Sequence, residues 1–329
     1  IITDSSQALT GAQLDEMSDD ELLGKIEDFS VYARVQPEHK VRIVNAWKQR
    51  GCITAMTGDG VNDSPSIKSA DIGIGMGITG TDVTKGVADM VLADDNFATI
   101  VGAVEEGRRI YDNIRKAIQF LLGSNMSEVI SIFVATILGF TILKPVHLLW
   151  INLVTDCFPA LALGMEKAEG DIMRRRPRPA KDGIFAGGMG FDIAYQGVLI
   201  SVLVLAAYFV GHYIETGVWT ITDSADGTTM AFLTMSMAEV CHSFNMRSLR
   251  GCIFTMGTKN KALVWAAVGS IAATTLVCEV PFLAEAFGFT PVSFAEYVIA
   301  MGIGMLGMVI VEIVKTFQRR AMRKRGEIL

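Results

Sequence analysis

Six long apolar stretches fill the second part of this 329-residue chain, and they limit its fold more than any other feature. They run roughly from 118 to 140, 146 to 164, 190 to 213, 229 to 246, 263 to 282 and 295 to 317. About 20 apolar residues suffice for a helix to cross the hydrocarbon core of a bilayer, so each stretch predicts a membrane-spanning helix. Because only 19% of the residues are charged and 50% are hydrophobic, a disordered or purely cytosolic protein is excluded.

Basic residues indicate how these stretches are oriented. They crowd the connections at 174–181 and 247–261 and the tail at 319–325, whereas the alternate connections are short or acidic, as at 215–226. Since Lys and Arg mark cytoplasmic loops, the pattern predicts a multi-pass integral membrane protein whose bundle begins and ends on the cytoplasmic side. A net charge of −6 argues against a nucleic-acid partner, and five cysteines without a CxxC pair predict free thiols.

Short β-rich runs alternate with helical patterns before the apolar region. Runs at 30–35, 52–56, 71–75 and 90–92 predict strands, and their alternation with helices predicts a parallel sheet within an α/β domain at 1–95. From Asn96 to about Phe140 nothing breaks a helical pattern. We therefore expect one continuous helix, with a stalk at 96–116, that leads into a six-helix transmembrane region and short basic tail at 117–329.

The segment Thr57–Asp63 follows a predicted strand at the carboxyl edge of the sheet, where ligands of parallel sheets bind. Its glycines permit a sharp turn, so Asp59 can present a carboxylate that Asn62 and Asp63 support through hydrogen bonds. Such a carboxylate suits magnesium, although an Asp-Gly pair taken alone is more often a simple turn. Lys40, one strand earlier, could neutralise a phosphoryl group, which favours a phosphate site.

Acidic residues stand within three of the apolar stretches, namely Glu128, Asp156 and Glu239. Each charge at mid-membrane costs roughly 2.5 to 3.5 kcal/mol, so three of them indicate a functional site. Asn125 lies on the same helical face as Glu128, and Asn152 and Thr155 share a face with Asp156. Two oxygen-rich faces could therefore meet inside the bundle.

Pro159 has no amide N–H, so it should leave the Thr155 carbonyl oxygen free beside Asp156. Oxygen ligands select a hard cation, and the chain has no Cys-Pro-Cys segment of the kind expected for a soft metal. Taken singly, an asparagine or threonine here could simply hydrogen-bond a neighbouring helix. Glu312, nearer the end of its stretch, is expected at the membrane interface.

The sequence around the predicted phosphate site resembles a known family. Residues 33–40, Met56–Pro65 and Met90–Phe97 are similar to the phosphorylation domain of P-type cation ATPases, a Rossmann-like α/β domain of the haloacid-dehalogenase type. The resemblance implies that Asp59 binds magnesium, with Lys40 and Asn62 at the bound phosphoryl group and cofactor. The catalytic set that it implies is Lys40, Thr57, Gly58, Asp59, Asn62 and Asp63.

The membrane residues resemble the calcium-transporting branch of that family, of the sarcoplasmic-reticulum type. Ser124–Val129, Leu149–Asp156 and Ala238–Cys241 carry this resemblance, which makes the six stretches spans five to ten of ten. It implies a transported calcium ion held by Asn125, Glu128, Asn152, Thr155, Asp156 and Glu239. These residues could supply most of two partly shared shells of about six to eight oxygens, and protons should replace the ion when it leaves.

Several parts of such a pump are absent from the sequence. It contains no Asp-Lys dipeptide for the phosphorylated aspartate, no Thr-Gly-Glu-Ser segment and no Pro-Glu-Gly-Leu-Pro segment. The chain, which starts at Ile1, is therefore expected to be inactive alone. It should need an amino-terminal part of the same pump, with the actuator, the ATP-binding domain and the first four spans.

The resemblance also implies a bacterial plasma membrane or a eukaryotic internal membrane, with lipid as a further partner.

Two alternative functions stay open. The protein could be a pump for sodium or another monovalent cation, because the same oxygens can bind sodium. It could also be a non-enzymatic membrane cation-binding subunit whose phosphate site is a relic.

Overall fold

The computed structural model describes residues 3–179 and 181–324, so Arg325 of the predicted basic tail lies outside the described residues. The chain divides into two compact units. The first runs to Glu106 and takes in Arg176–Lys181, and the second comprises Gly107–Arg175 together with the chain from Asp182 onward.

The first unit is built from short parallel strands and helices. Its strands are β1 (Ala8–Thr10), β2 (Val31–Ala33), β3 (Ala55–Gly58), β4 (Ile72–Met76) and β5 (Met90–Leu92). Its helices are α1 (Gly11–Glu16), α2 (Asp19–Lys25), α3 (Pro37–Gln49), α4 (Ser64–Ser69) and α5 (Asp82–Val87). The predicted parallel α/β region is thereby confirmed.

The strands differ from the prediction in two respects. In the described residues they form two sheets, β1 with β2 and β3-β4-β5, in place of one. The sequence analysis missed β1, which pairs Ala8 with Val31 and Thr10 with Ala33. Its pairing with β2 identifies it as a strand.

Local signals set the helix that carries Lys40. Pro37 occupies the first turn of α3, where its missing N–H costs no hydrogen bond. The helix ends before Gly51, whose φ of 82° lies in the left-handed region that glycine tolerates. Both boundaries agree with the sequence pattern.

Helices make up the second unit, and the first of them begins in the first unit. They are α6 (Phe97–Leu138), α7 (Pro145–Trp150), α8 (Cys157–Gly164), α9 (Met189–Thr216), α10 (Ala225–Asn245), α11 (Lys261–Glu279), α12 (Pro281–Phe287) and α13 (Phe294–Lys324). The prediction of one unbroken helix after Asn96 is confirmed, since α6 has 42 residues. It stops before Gly139, which has a φ of 84°.

Two predicted stretches are interrupted. The second contains a π-helical segment, Ile151–Asp156, between α7 and α8, so it is not a uniform α-helix. The fifth ends at Glu279, because Pro281 starts a separate short helix, α12. Both interruptions involve a proline at or shortly after the break.

Five of the described helices or helix pairs are long and apolar enough to cross a membrane: α6, α7 with α8, α9, α11 and α13. The remaining predicted stretch forms α10, which has 21 residues and falls outside that group. It packs against α9, α11 and α13, and most of its side chains are buried. A helix enclosed by others needs no lipid-compatible surface, which explains its lower apolarity, and that it crosses the bilayer remains a prediction.

Candidate functional site

The loop after β3 is shaped around Asp63. A Cβ atom on Gly58 would lie 2.3 Å from the Asp63 Cβ atom, so only glycine fits there. The Asp63 Oδ2 atom accepts hydrogen bonds from the backbone nitrogens of Asp59 (3.3 Å) and Gly60 (3.2 Å). Lys40 Nζ donates to Oδ1 at 2.5 Å. Asp63 therefore holds the loop together and keeps Lys40 beside it.

Electrostatics favour the ionised form of Asp63. Burial alone would raise the pKa of this carboxyl, but the hydrogen bond and charge of Lys40 and the two backbone amides outweigh it and lower the pKa. The negative charge is thus retained across the physiological range, and it anchors the positive charge of Lys40.

Asp59 is the exposed carboxylate of this loop. The prediction that Asp63 hydrogen-bonds the Asp59 carboxylate is wrong in detail, because the contact is made through the Asp59 backbone nitrogen. Thr57 lies half-buried at the end of β3, and Asn62 is exposed. The Asp59 carboxylate therefore stays open to solvent, and a hard oxygen ligand in that position fits magnesium.

In the second unit, one serine contacts two of the three predicted acids. Ser124 Oγ on α6 lies 3.0 Å from Asp156 Oδ1 and 2.6 Å from Glu239 Oε1. Thr155 Oγ1 lies 2.9 Å from the other Glu239 carboxyl oxygen, Oε2. Asp156 and Glu239 are buried, at 1% and 0% exposure. Residues from α6, the π-helical segment and α10 therefore meet at one point.

The third acid, Glu128, lies one turn further along α6 and is also buried. Asn152 Nδ2 donates to both of its carboxyl oxygens, at 3.0 and 3.1 Å. Asn125 is placed differently from the prediction: it is exposed, and its Nδ2 donates to the Leu121 carbonyl oxygen of its own helix at 2.7 Å. Glu128 and Asn152 thus form one contact, Thr155, Asp156 and Glu239 meet around Ser124, and Asn125 stands apart.

The hydrogen-bond geometry constrains the protons in this cluster. A serine hydroxyl carries one proton, so Ser124 can donate to only one of its two carboxyl neighbours. The other contact is a hydrogen bond only if that carboxyl carries a proton itself. Asp156 Oδ2 is buried with no hydrogen-bond partner among the described residues. The arrangement therefore suits a protonated cluster with an oxygen still available to a ligand.

Thr155 and Asp156 are buried at the end of the π-helical segment. Pro159 follows it by three residues and cannot donate the amide hydrogen bond that a regular helix needs. Thr155 Oγ1 also lies 2.8 Å from the Ile151 carbonyl oxygen, so its one proton goes either to that backbone group inside the irregular turn or to Glu239. Such turns occur frequently at functional sites.

Other buried polar residues lie outside the predicted site. Glu312, which was expected at the membrane interface, is 5% exposed and accepts hydrogen bonds from Lys315 and Asn245 at 3.0 Å each. His242, one turn beyond Glu239 on α10, is buried with no hydrogen-bond partner for either ring nitrogen in the described part of the chain. Lys315 alone, a lysine inside an apolar stretch, could have signalled the Glu312 pair.

No group of three or more acids, histidines or cysteines among residues 3–179 and 181–324 is close enough to enclose a metal ion. A cation here would therefore also need oxygens of other types. The Thr155 hydroxyl and the side-chain oxygen of Asn152 are neighbouring ones.

Comparisons with known proteins identify the family of the chain. Residues 140–317 match a family model described as "Cation transporting ATPase, C-terminus". The chain is 44% identical over 327 residues to calcium-transporting ATPase 1 of Bacillus cereus, across 96% of this chain and 37% of that protein. It is 41% identical to the calcium-transporting ATPase of Bacillus subtilis, across 93% of this chain and 34% of that protein.

A eukaryotic relative shows the same coverage. The endoplasmic reticulum calcium ATPase of Aspergillus fumigatus is 34% identical, across 96% of this chain and 35% of that protein. The chain thus spans about a third of the length of the curated relatives it matches.

Proposed function

The chain belongs to the cation-transporting P-type ATPases, and from this we propose that it is the carboxy-terminal part of an ATP-driven calcium pump. The observation that carries the proposal is a set of three acids, Glu128, Asp156 and Glu239, buried on three separate helical segments. Ser124 contacts Asp156 and Glu239, Thr155 contacts Glu239, and Asn152 contacts Glu128. Calcium takes about six to eight oxygen ligands, which carboxylates, amides and hydroxyls supply. The calcium-transporting ATPases of the two Bacillus species support this choice of ion.

We further propose that protons travel against calcium. Buried carboxylates without a cation are costly, and the single hydroxyl proton of Ser124 leaves one of its two neighbours in need of a proton of its own. Calcium would displace these protons on entry, and their return would follow its departure.

The cytosolic loop supports magnesium-dependent phosphoryl transfer. Asp59 would hold the ion, which, when bound, neutralises negative charge on the phosphoryl oxygens. Asp63 keeps the loop folded and Lys40 in place through the contacts at its two oxygens. The phosphorylated aspartate and the ATP site would come from the amino-terminal part of the pump, so the chain alone is predicted to be inactive.

Ion uptake into vesicles that contain the full-length protein tests the proposal. We expect ATP-driven uptake of radioactive calcium, accompanied by alkalinisation of the vesicle interior as protons leave. ATP-driven sodium uptake that needs no calcium would contradict the ion assignment. If the full-length protein formed no acid-stable phosphoenzyme from ATP, it would instead be a non-enzymatic cation-binding subunit.

A further inference from the structure

The Asp95 carboxylate is bound by the loop that follows β4. Its Oδ1 atom accepts from the backbone nitrogens of Gly77 (2.6 Å) and Ile78 (3.0 Å). Its Oδ2 atom accepts from the backbone nitrogen and the hydroxyl of Thr79, both at 2.7 Å. Three successive amides thus form a concave anion-binding turn around one side chain.

The backbone of Asp95 is adapted to this contact. Its φ of 48° lies in the left-handed region, which Asp and Asn adopt more readily than most residues. The hydrogen bonds from Ile78, Thr79 and Gly77 lower the pKa of the carboxyl to about 2, so it remains ionised. Four hydrogen bonds to one loop hold Asp95 in this less favoured backbone conformation, so its position relative to that loop is strongly constrained.

The same loop continues directly to the magnesium-site loop. Two residues further on, the Thr81 backbone nitrogen donates to the Asp59 carbonyl oxygen at 3.0 Å. The buried Thr84 hydroxyl lies 3.2 Å from the Gly60 carbonyl oxygen and 3.4 Å from that of Asp59. Movement of the loop after β4 would therefore displace the backbone of Asp59 and Gly60.

On its other side, Asp95 is joined to the start of α6. Asn96 follows it, and the Asn96 side-chain oxygen accepts from the Ala98 nitrogen at 3.0 Å in the first turn of the helix. The neighbouring Asp94 accepts from the Thr99 hydroxyl at 2.7 Å. All of these residues belong to the first compact unit.

We propose that Asp95 is a positioning residue of the phosphorylation site, which ties the Asp59–Gly60 loop to the first turn of α6. The inference rests on the proposed function. Asp95 touches neither magnesium nor phosphate in this scheme, and it acts only through the Gly77–Thr79 amides and Thr81. Loss of its charge should loosen the Asp59 loop and weaken magnesium binding.

Two measurements on the full-length protein test this link with the variant D95N, which keeps a residue suited to the left-handed conformation. The amide can still accept from Gly77 and Ile78, but its NH₂ group faces the Thr79 donors. We expect the magnesium concentration for half-maximal phosphorylation by inorganic phosphate to rise about tenfold, with the maximal phosphoenzyme level retained. Without magnesium, hydrogen exchange should speed up at the amides of Asp59 and Gly60 as well as at 77–79.

Three further variants sharpen the test. T79V removes the hydrogen bond from the Thr79 hydroxyl to Asp95. It should change the magnesium requirement and the exchange rates in the same direction as D95N, but less, and it replaces D95N in the test if that variant does not fold. T84V interrupts the next link, so its effect combined with D95N should be less than additive. D94N is the matched control, since Asp94 contacts only the start of α6 in the described residues, and it should change neither measurement.

The proposal is overturned if D95N accelerates exchange at 77–79 alone and leaves the magnesium requirement unchanged, or if D94N has the same effect as D95N. Absence of phosphorylation in the wild-type protein would be a different result. It would reject the proposed function, while the exchange measurement would still decide whether Asp95 and the Asp59 loop are linked.

Discussion

The Ser124 hydroxyl lies 2.6 Å from Glu239 Oε1, although the two residues are 115 positions apart in the chain. The same hydroxyl lies 3.0 Å from Asp156 Oδ1. A single small side chain on α6 thus separates two buried carboxyls from different helical segments.

Replacement of Ser124 by alanine should raise the calcium concentration for half-maximal phosphorylation by ATP about tenfold, because both carboxyls lose their shared partner. Ser131 offers a matched control on the same helix, since its hydroxyl is buried without a partner in the described residues. S131A should leave the calcium requirement unchanged. Equal effects of the two variants would show that the Ser124 contacts do not contribute to the cation site.

Replacement of Pro159 by alanine should weaken calcium binding about tenfold and raise the thermal stability of the protein. Alanine restores the amide N–H that can bond to the Thr155 carbonyl oxygen, so the π-helical segment can convert to a regular helix and turn Asp156 away from Ser124. P145A is the control, because Pro145 occupies the first turn of α7. Unchanged calcium affinity in P159A would separate the irregular turn from the cation site.

Replacement of Arg247 by methionine should destabilise the protein by about 3 to 5 kcal/mol near neutral pH. Arg247 donates to both oxygens of the buried Glu166, at 3.0 and 3.1 Å. Burial alone would raise the pKa of Glu166, but the hydrogen bonds and charge of Arg247, with the hydrogen bond of Asn260, lower it. In the wild type, this contribution is complete above the pKa of the unfolded state and is lost only as the pH falls below it.

The variant reverses the sign of this pH dependence. Without Arg247, burial places the folded-state pKa of Glu166 above its unfolded value, so R247M should lose stability as the pH rises from about 5 to 8. Rates of thermal inactivation at several pH values measure this pH dependence of stability. The double variant R247M/E166Q should recover most of the stability that R247M loses. Equal instability of R247M at both ends of that range would exclude a buried charge as the cause.

Replacement of Asp63 by asparagine should slow phosphorylation by ATP at least about tenfold. The amide leaves Lys40 without a charged partner, and its NH₂ group cannot accept from the Asp59 and Gly60 nitrogens. D71N is the control, since Asp71 forms a more exposed pair with Lys48 at 3.3 Å in the same unit. A normal phosphorylation rate in D63N would mean that the loop holds its shape without this carboxylate.

Much of the fold could be predicted from the sequence because its signals are local. Gly51 and Gly139 end helices through their own backbone angles, and Pro37 starts one. The continuous apolar stretches identify membrane helices by length alone. Where the prediction was wrong, as for β1, the strand exists only through its pairing with β2.

The candidate cation site was predicted only in part. Acids in apolar stretches can be recognised from the sequence, because a charged side chain inside the membrane is energetically costly and usually has a functional role. Ser124 carries no such signal, because serine is tolerated almost anywhere in a membrane helix. Asn125 fits the spacing rule but is exposed on α6, whereas Glu128 is buried.

By itself, the sequence determined that this chain joins a small parallel α/β region to a bundle of apolar helices, with acids inside the bundle and an Asp-Gly loop at a strand end. Only the tertiary structure decided that Ser124 lies between Asp156 and Glu239. It also decided that Glu312 pairs with Lys315 and that Asp95 accepts hydrogen bonds from the loop after β4. The physical reason is distance along the chain. Helix ends and spans depend on neighbouring residues, whereas the partner of a buried polar group is chosen by the packing that brings remote segments together.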